Sequence, residues 1–586
     1  MIGKIIKISN KEVTIKLSIN IDAQSNFLGV HVIFEDSEKK IVGEIVYLDK
    51  EIAKINIVGE FNNDKFIPGV LSKPSFRSTC RIINMTELEA ILGKQTLNKG
   101  DIPFASSTVY KNYRINISVN KFFSNHFALL GNTGSGKSCA FARIMQNVFS
   151  NKDNIPIKAK FLIFDAYGEY VRAFSNLSAV SPEIYTKVLT TNIKDERFDI
   201  LKIPLWLLDT DDIALLLEAD RPEQLPIIRE ALKLVPIFKG EGENVKALRN
   251  DIIARALLDI LRSGKEVSII RDQVTAVLST FNTVELNLES QIHQPGYVRT
   301  LKQCLLIDKT GKMPEMELVV TFLTSFTNDA LEIPDPDGTV MYNLKDLKQA
   351  LDFALISEGI LKSESVYNYA NVLSVRLQSL INSDSATYFD LNEYYTKEEY
   401  ISSLFLTREN NLAQILNINI NYVDDRMAKV IVKIISRMIF LVLASSPVRG
   451  ANPIHIIIEE AHRYVQEVLD LKLLGYNIFD IITKEGRKYG AILGLITQRP
   501  SELTDTSVSQ CTNFVILRTL HPEDLNYISK MVPNISEEGV EAVKSLQSGT
   551  ALVFGSAFPL SLTVKFDMPN PEPLSSNADI SSVWYL

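Results

Sequence analysis

One run of residues constrains this chain more than any other. Gly131-Asn132-Thr133-Gly134-Ser135-Gly136-Lys137-Ser138 satisfies G-x-x-x-x-G-K-[ST] in full. His126-Phe127-Ala128-Leu129-Leu130 before it is a buried-strand pattern, and a helix-forming stretch runs from Cys139 to Phe149 after it. The strand, loop and helix context is what gives such a motif meaning. Glycines let the backbone turn its N–H groups inward around phosphates, and the helix N-terminus adds partial positive charge. Lys137 is then placed to neutralise β- and γ-phosphates, and the Ser138 hydroxyl to take a Mg²⁺ position. ATP and Mg²⁺ are therefore the expected cofactors, with Gly131 to Ser138 and the adjoining Cys139 as the nucleotide-binding set.

A nucleotide hydrolase also needs carboxylates at the end of a neighbouring strand. Ile454-His455-Ile456-Ile457-Ile458 followed by Glu459-Glu460 supplies them. Glu459 is assigned to the metal through its water shell and Glu460 to polarising the attacking water. The alternative is a pair of acids that merely favours the start of the next helix. Gln498, directly after Leu495-Ile496-Thr497, is a candidate γ-phosphate sensor or water-orienting group, against an ordinary strand-end amide. Asp165 and Glu169 end the strand Lys160–Phe164, where ligand crevices form in open α/β sheets, with helix capping as the competing role for Asp165.

The rest of the chain reads as a soluble, multi-domain protein. It has 586 residues, enough for about three to four domains. Its 46% hydrophobic and 23% charged content argues against disorder over most of its length. A net charge of -8 requires any nucleic-acid contact to come from a local basic lining. Cys80, Cys139, Cys304 and Cys511 lie far apart, which excludes a disulfide framework or zinc finger. The start, from Met1 to Lys7, lacks a signal-peptide pattern, and the longest apolar helix candidate, Val430–Ala444, carries Lys433 and Arg437. A reduced, cytoplasmic protein with no membrane partner is expected.

Short alternating runs such as Val13–Leu17, Ile41–Val46 and Ala53–Val58 predict a small N-terminal antiparallel barrel. A bridging segment with Pro103 and the strand Tyr113–Ile117 follow. From about Leu205 to Asn382 amphipathic helices are predicted near 211–218, 223–234, 245–262, 316–326, 345–356 and 366–381. Strands return at Leu412–Ile420, Ile454–Ile458, Ile492–Thr497 and Asn513–Leu517. The fold class is α/β, a doubly wound core interrupted by a helical insertion. The expected division is a barrel at 1–100, the first part of the core at 101–200, a helical insertion at 201–400, the second part of the core at 401–568, and an extended Pro/Ser/Asn-rich tail at 569–586.

Taken together, His126 to Ser138, Phe164-Asp165-Ala166-Tyr167-Gly168-Glu169-Tyr170, Ile458-Glu459-Glu460-Ala461-His462-Arg463-Tyr464, Glu485-Gly486-Arg487-Lys488-Tyr489-Gly490 and Thr497-Gln498-Arg499-Pro500-Ser501-Glu502-Leu503 resemble the HerA family of the HerA/FtsK superfamily. The barrel and the ending Val553–Leu560 resemble it too. That resemblance implies a RecA-like core, a homohexameric ring and double-stranded DNA threaded through its pore. It also implies an arginine from the neighbouring subunit, for which Arg487 matches the family position; a solvated patch with Lys484 and Lys488 is the alternative. Asn125 stands where some relatives carry another arginine. Glu459 replaces a common Asp, and Asp165-Ala166-Tyr167 departs from the usual Asp-Pro-His.

The resemblance further implies a separate effector partner, either a nuclease or a sirtuin-like NADase. The bacterial anti-phage setting is preferred because Lys/Asn/Ile-rich usage fits an AT-rich bacterial gene. The first functional expectation is thus an ATP-hydrolysing hexameric motor, helicase or translocase in type, on duplex DNA. The second is a nucleotide-gated oligomeric scaffold that activates an effector without processive translocation. A metabolic kinase would leave the barrel, insertion and tail without a task.

Overall fold

The computed structural model describes residues 2–584 apart from 10–11, 19–26, 37–38, 70, 332–337, 361–363, 467–468, 532–536 and 576–579. Met1 and parts of the expected 569–586 tail, 576–579 and 585–586, lie outside the described residues.

Seven strands open the chain: β1 (Gly3–Ile8), β2 (Glu12–Leu17), β3 (His31–Glu35), β4 (Lys40–Leu48), β5 (Ile52–Asn62), β6 (Lys65–Pro68) and β7 (Thr79–Ile82). Their order is β2-β1-β7-β3-β4-β5-β6, and an additional β2–β5 pairing closes six of them into a barrel. The alternation of the sequence is what fills it: Ile5, Val13, Ile15, Val32, Phe34, Ile41, Ile45, Ala53 and Ile55 share one buried cluster with Cys80. Closure removes the exposed sheet edges that short strands would otherwise present.

The other main sheet has twelve strands. Residues read as a bridge supply β8 (Asp101–Ser107), which pairs with β9 (Arg114–Ser118) and extends this sheet. The core strands are β10 (Phe127–Leu130), β11 (Phe161–Asp165), β12 (Thr186–Thr190) and β13 (Asp199–Ile200). After a small separate hairpin, β14 (Gln291–Gln294) and β15 (Tyr297–Thr300), the sheet resumes with β16 (Ile415–Asn419), β17 (Ile454–Glu459), β18 (Ala491–Thr497), β19 (Asn513–Leu517), β20 (Thr550–Gly555) and β21 (Phe558–Lys565). The order is β13-β12-β16-β11-β17-β18-β10-β19-β20-β21-β8-β9. From β13 to β19 the neighbours are parallel, and from β19 onward antiparallel. This is a RecA-like arrangement, with one strand, β18, between the phosphate-loop strand β10 and the acid-bearing β17.

The parallel strands are buried on both faces, as near-continuous apolar runs require. Ala128, Leu130, Leu162, Phe164, Ile456, Ile458, Leu493 and Leu495 pack toward one cluster, and Phe127, Leu129, Phe161, Ile163, Ile457 and Ile496 toward the other. Gly494 exists for this packing: a methyl there would sit 2.5 Å from Phe127 Cζ and 2.7 Å from Ile457 Cδ1.

The region between β13 and β16 is mainly helical, with helices at Thr210–Leu216, Gln224–Lys239, Glu243–Leu261, Val267–Thr280, Met316–Thr324, Leu344–Ala354 and Glu364–Ile381. Helix Val267–Thr280 and the β14–β15 hairpin are absent from the sequence reading. The helix is rich in Val, Ile and Thr, which carry strand propensity, and only packing of Ile270, Val274, Val277 and Leu278 into the large cluster decides for helix. Arg437 anchors the insertion to the core, 2.6 Å from Asp209 and 3.0 Å from Asp212. Among the described residues no helix is long and apolar enough to cross a membrane.

Candidate functional site

The glycines of the phosphate loop sit in backbone regions closed to other residues: Gly131 has φ 153°, Gly134 74° and Gly136 95°. Gly136 caps the helix Lys137–Val148, and a side chain there would lie 2.9 Å from the Gly549 nitrogen. The loop is fastened from three sides. Gly131 N–H donates to Thr497 O (3.2 Å), Asn132 N–H to Arg518 O (2.9 Å), and Gly549 N–H to Ser135 O (2.9 Å). The Asn132 side chain accepts from Leu520 N–H at 3.2 Å, so its amide braces the loop. Lys137 Nζ donates to Asn132 O at 3.3 Å. Burial lowers the lysine's pKa, while Glu460, Glu459 and Glu169 act to raise it.

Glu459 ends β17 only 3% exposed, and its Oε2 accepts the Ala166 N–H at 3.0 Å. Burial first, then the charges of Asp165 and Glu169, push its pKa well above the usual carboxylate range. Glu460 follows in the left-handed region, φ 49° and ψ 46°, a conformation that costs a non-glycine residue about 1 kcal/mol. Its Oε2 is buried without a hydrogen bond. Burial raises its pKa, with Lys137 opposing. Gln498 closes the site from β18: Thr133 Oγ1 donates to its Oε1 at 2.5 Å.

Asp165 is occupied elsewhere. Its Oδ1 accepts Glu169 N–H (3.0 Å), and its Oδ2 accepts Tyr170 N–H (2.9 Å) and Asn417 Nδ2 (3.0 Å). That is the capping role weighed against ligand contact. Glu169 instead faces the loop, where burial raises its carboxyl pKa against the neighbouring Ser138 hydroxyl and the Lys137 charge, which act to lower it, and its Oε2 is buried without a partner. The sequence reading placed Glu169 at this strand end but gave it no task; its four-residue spacing from Asp165 was the available signal. His462, Arg463 and Arg499, whose charges or contacts reach Glu460, were likewise unassigned.

These residues fit a nucleotide with a divalent cation. Ser135 Oγ is buried and unpartnered, and Glu169 and Glu460 each present a buried, unpaired oxygen. A hard cation beside Ser138 would offset the burial and the mutual repulsion that raise the carboxyl pKa values. Among the described residues no three His, Cys, Asp or Glu side chains converge to hold a metal by themselves. Such a site suits Mg²⁺ carried by phosphate oxygens, one hydroxyl and carboxylate-bound waters.

Arg487 is not part of this constellation in its own chain. It lies exposed in the last turn of helix Ile478–Tyr489, which leads into the first residue of β18. Gln498 follows the other end of that strand, so about 20 Å of strand separates the guanidinium from its own phosphate loop. Among the described residues Arg487 makes no side-chain hydrogen bond or ion pair, although its charge reaches the buried His126 at the same sheet edge. Asn125 is on that edge too, bonding to Lys121 O at 3.0 Å.

Residues 566–575 run back along their own core. Gln146 on the phosphate-loop helix accepts Asn570 N–H and donates to Pro571 O, both at 2.9 Å. Leu574 N–H donates to Glu169 O at 2.9 Å. Cys139 faces Ser575, and burial raises its thiol pKa. The short helix Ile580–Trp584 beyond is exposed.

Known proteins are similar to this chain in sequence. The family model for the central domain of helicase HerA matches residues 106–325. A probable helicase of Methanocaldococcus jannaschii is 24% identical over 524 residues, 88% of this chain and 79% of the relative. The DNA double-strand break repair helicase HerA of Pyrococcus furiosus is 22% identical over 519 residues, 88% of this chain and 77% of the relative. The protein of that name from Saccharolobus solfataricus is 36% identical over 132 residues, 22% of this chain and 26% of the relative. Among solved structures, VirB4 of Thermoanaerobacter pseudethanolicus superposes with a TM-score of 0.42 at 12% identity, over 80% of this chain and 97% of that one. With its full phosphate loop, paired glutamates and RecA-like sheet, this chain is a nucleotide-hydrolysing P-loop ATPase whose residues 106–325 match the central domain of helicase HerA.

Proposed function

We propose that six copies of this chain form a ring that uses ATP hydrolysis to move along double-stranded DNA. The observation that carries this reading is the separation of Arg487 from its own phosphate loop across the full length of β18. A head-to-tail ring brings the arginine edge of one copy to the phosphate edge of the next, which completes each site. In that site Lys137 and the loop from Gly131 to Cys139 would hold ATP, and Ser138 and Glu459 would hold Mg²⁺, the latter through water, which would neutralise the phosphate charge. Glu460 polarises the attacking water, Gln498 senses the γ-phosphate, and Arg487 of the neighbour stabilises the transition state.

Duplex DNA as the track is supported by one relative named as a probable helicase and another named as a DNA double-strand break repair helicase. Contacts to it would be phosphate contacts, sequence-independent and weakened by salt. The reading includes a cytoplasmic ring, the division of the chain at residues 100, 200, 400 and 568, and a separate effector, a nuclease or a sirtuin-like NADase, in anti-phage defence. The test is steady-state ATPase activity and solution mass with and without linear duplex. A hexamer whose turnover rises on DNA and vanishes in Lys137→Ala and Glu460→Ala supports the motor. Turnover indifferent to DNA, with normal effector assembly by Glu460→Ala, would establish the scaffold instead.

A further inference from the structure

Glu460 is held in a conformation that its own backbone disfavours, with a buried oxygen that no hydrogen bond fixes. Something next to it must set where that oxygen points. Among the described residues the one side chain in ion-pair range is His462, whose Nδ1 lies 3.3 Å from Glu460 Oε2. The same Nδ1 is 3.0 Å from Thr497 Oγ1. The imidazole thus hydrogen-bonds Thr497 while the same nitrogen stands beside the Glu460 carboxylate, close to it but without a hydrogen bond to it. Burial lowers the His462 pKa.

Thr497 is fully buried and is tied at both ends. Its carbonyl accepts the N–H of Gly131, the first residue of the phosphate loop, and its hydroxyl accepts the Arg499 N–H at 3.0 Å. The next residue, Gln498, is bonded to Thr133 at the loop's tip. A continuous set of polar contacts thus runs from the phosphate loop through Gln498 and Thr497 to His462 and on to Glu460. His462 is the only side chain in this set that touches both β18 and the glutamate.

We infer that His462 is a positioning residue for hydrolysis: bridging Thr497 and Glu460, it aligns the Glu460 carboxylate according to whether the phosphate loop is filled. The inference rests on the catalytic reading of Glu460 given above. It requires that turnover, and not nucleotide affinity, depend on the His462–Thr497 contact. His462 lies in a single turn, Ala461–Arg463, so its loss need not disturb a long helix.

The experiment is ATP turnover of the full-length protein, with nucleotide affinity measured in parallel by titration with fluorescent ADP. His462→Phe and Thr497→Val are expected to lower kcat by about 10- to 100-fold, the usual cost of removing a group that orients a reactive one. KM and ADP affinity are expected to stay within about twofold, as for an interaction used only in the transition state. The double variant should be no slower than the slower single one, and His462→Asn and Thr497→Ser, which keep polar atoms in place, should recover most of the rate. Losses that multiply, losses equal in conservative and drastic variants, or affinity that falls with kcat would overturn the inference. Glu460→Gln in the same assay separates the two readings. Normal turnover in Glu460→Gln removes the catalytic assignment itself, whereas an inactive Glu460→Gln beside an active His462→Phe removes the His462 role alone.

Discussion

Replacing Arg487 with alanine leaves each chain's own phosphate loop untouched and removes a charge some 20 Å away across β18. If the arginine acts on a neighbour, turnover should still fall by about 10³- to 10⁵-fold, the range for a transition-state arginine supplied in trans. Lys137→Ala should fail for the opposite reason, since its arginine is intact but its loop cannot neutralise phosphate. In an equal mixture, a site is complete only where an Arg487→Ala chain supplies the loop and a Lys137→Ala chain supplies the arginine. Each choice has about one chance in two, so about one site in four is restored in a head-to-tail ring that assembles at random. The assay is basal ATPase of the two variants alone, refolded or co-expressed together, and beside wild type. Recovery to about a quarter of the wild-type rate is expected. A mixture that stays at the level of its parents, or an Arg487→Ala protein that turns over normally, would refute the trans arrangement.

Other perturbations read out other parts of the structure. Glu460→Gln should retain nucleotide binding by equilibrium titration while losing about 10²- to 10⁴-fold in kcat, the contribution of a positioned base. Gly494→Ala should lower the thermal midpoint by forcing a methyl to 2.5 Å from Phe127 Cζ, at a cost of about 1–3 kcal/mol for overpacking. Burial pushes Glu44, paired across strands with His31 in the barrel, up to about 7. A carboxyl whose folded pKa is raised adds stability below its unfolded pKa and loses it as pH rises through the folded value. Glu44→Gln should therefore raise the melting temperature relative to wild type at pH 8 and leave the difference near zero or reversed at pH 4.

Much of the site was legible because its chemistry is local in sequence. The phosphate loop needs glycines at fixed offsets between a strand and a helix, and Glu459-Glu460 follows five consecutive buried-strand residues, so each could be read without knowing what lies beside it. The parts that were not legible depend on contacts between distant segments. Asp165 and Glu169 look alike as strand-end acids, and only the bonds from Tyr170 and Asn417 take Asp165 out of the ligand set. His462 acquires meaning from Thr497, 35 residues away. The place of residues 101–118 as the last two strands of the sheet follows from the pairing of β8 with β21, more than 450 residues distant in sequence, which no local pattern announces. Helix Val267–Thr280 shows the same limit from the other side, since its β-branched residues point to strand until tertiary packing overrides propensity.

The central claim is that this ATPase moves along duplex DNA, and displacement of a third strand tests it most directly. With a triplex-forming oligonucleotide bound to a linear duplex, the wild-type protein and ATP should release the oligonucleotide, while Lys137→Ala and ADP should not. A wild-type hexamer that hydrolyses ATP on this substrate yet leaves the third strand in place would contradict translocation.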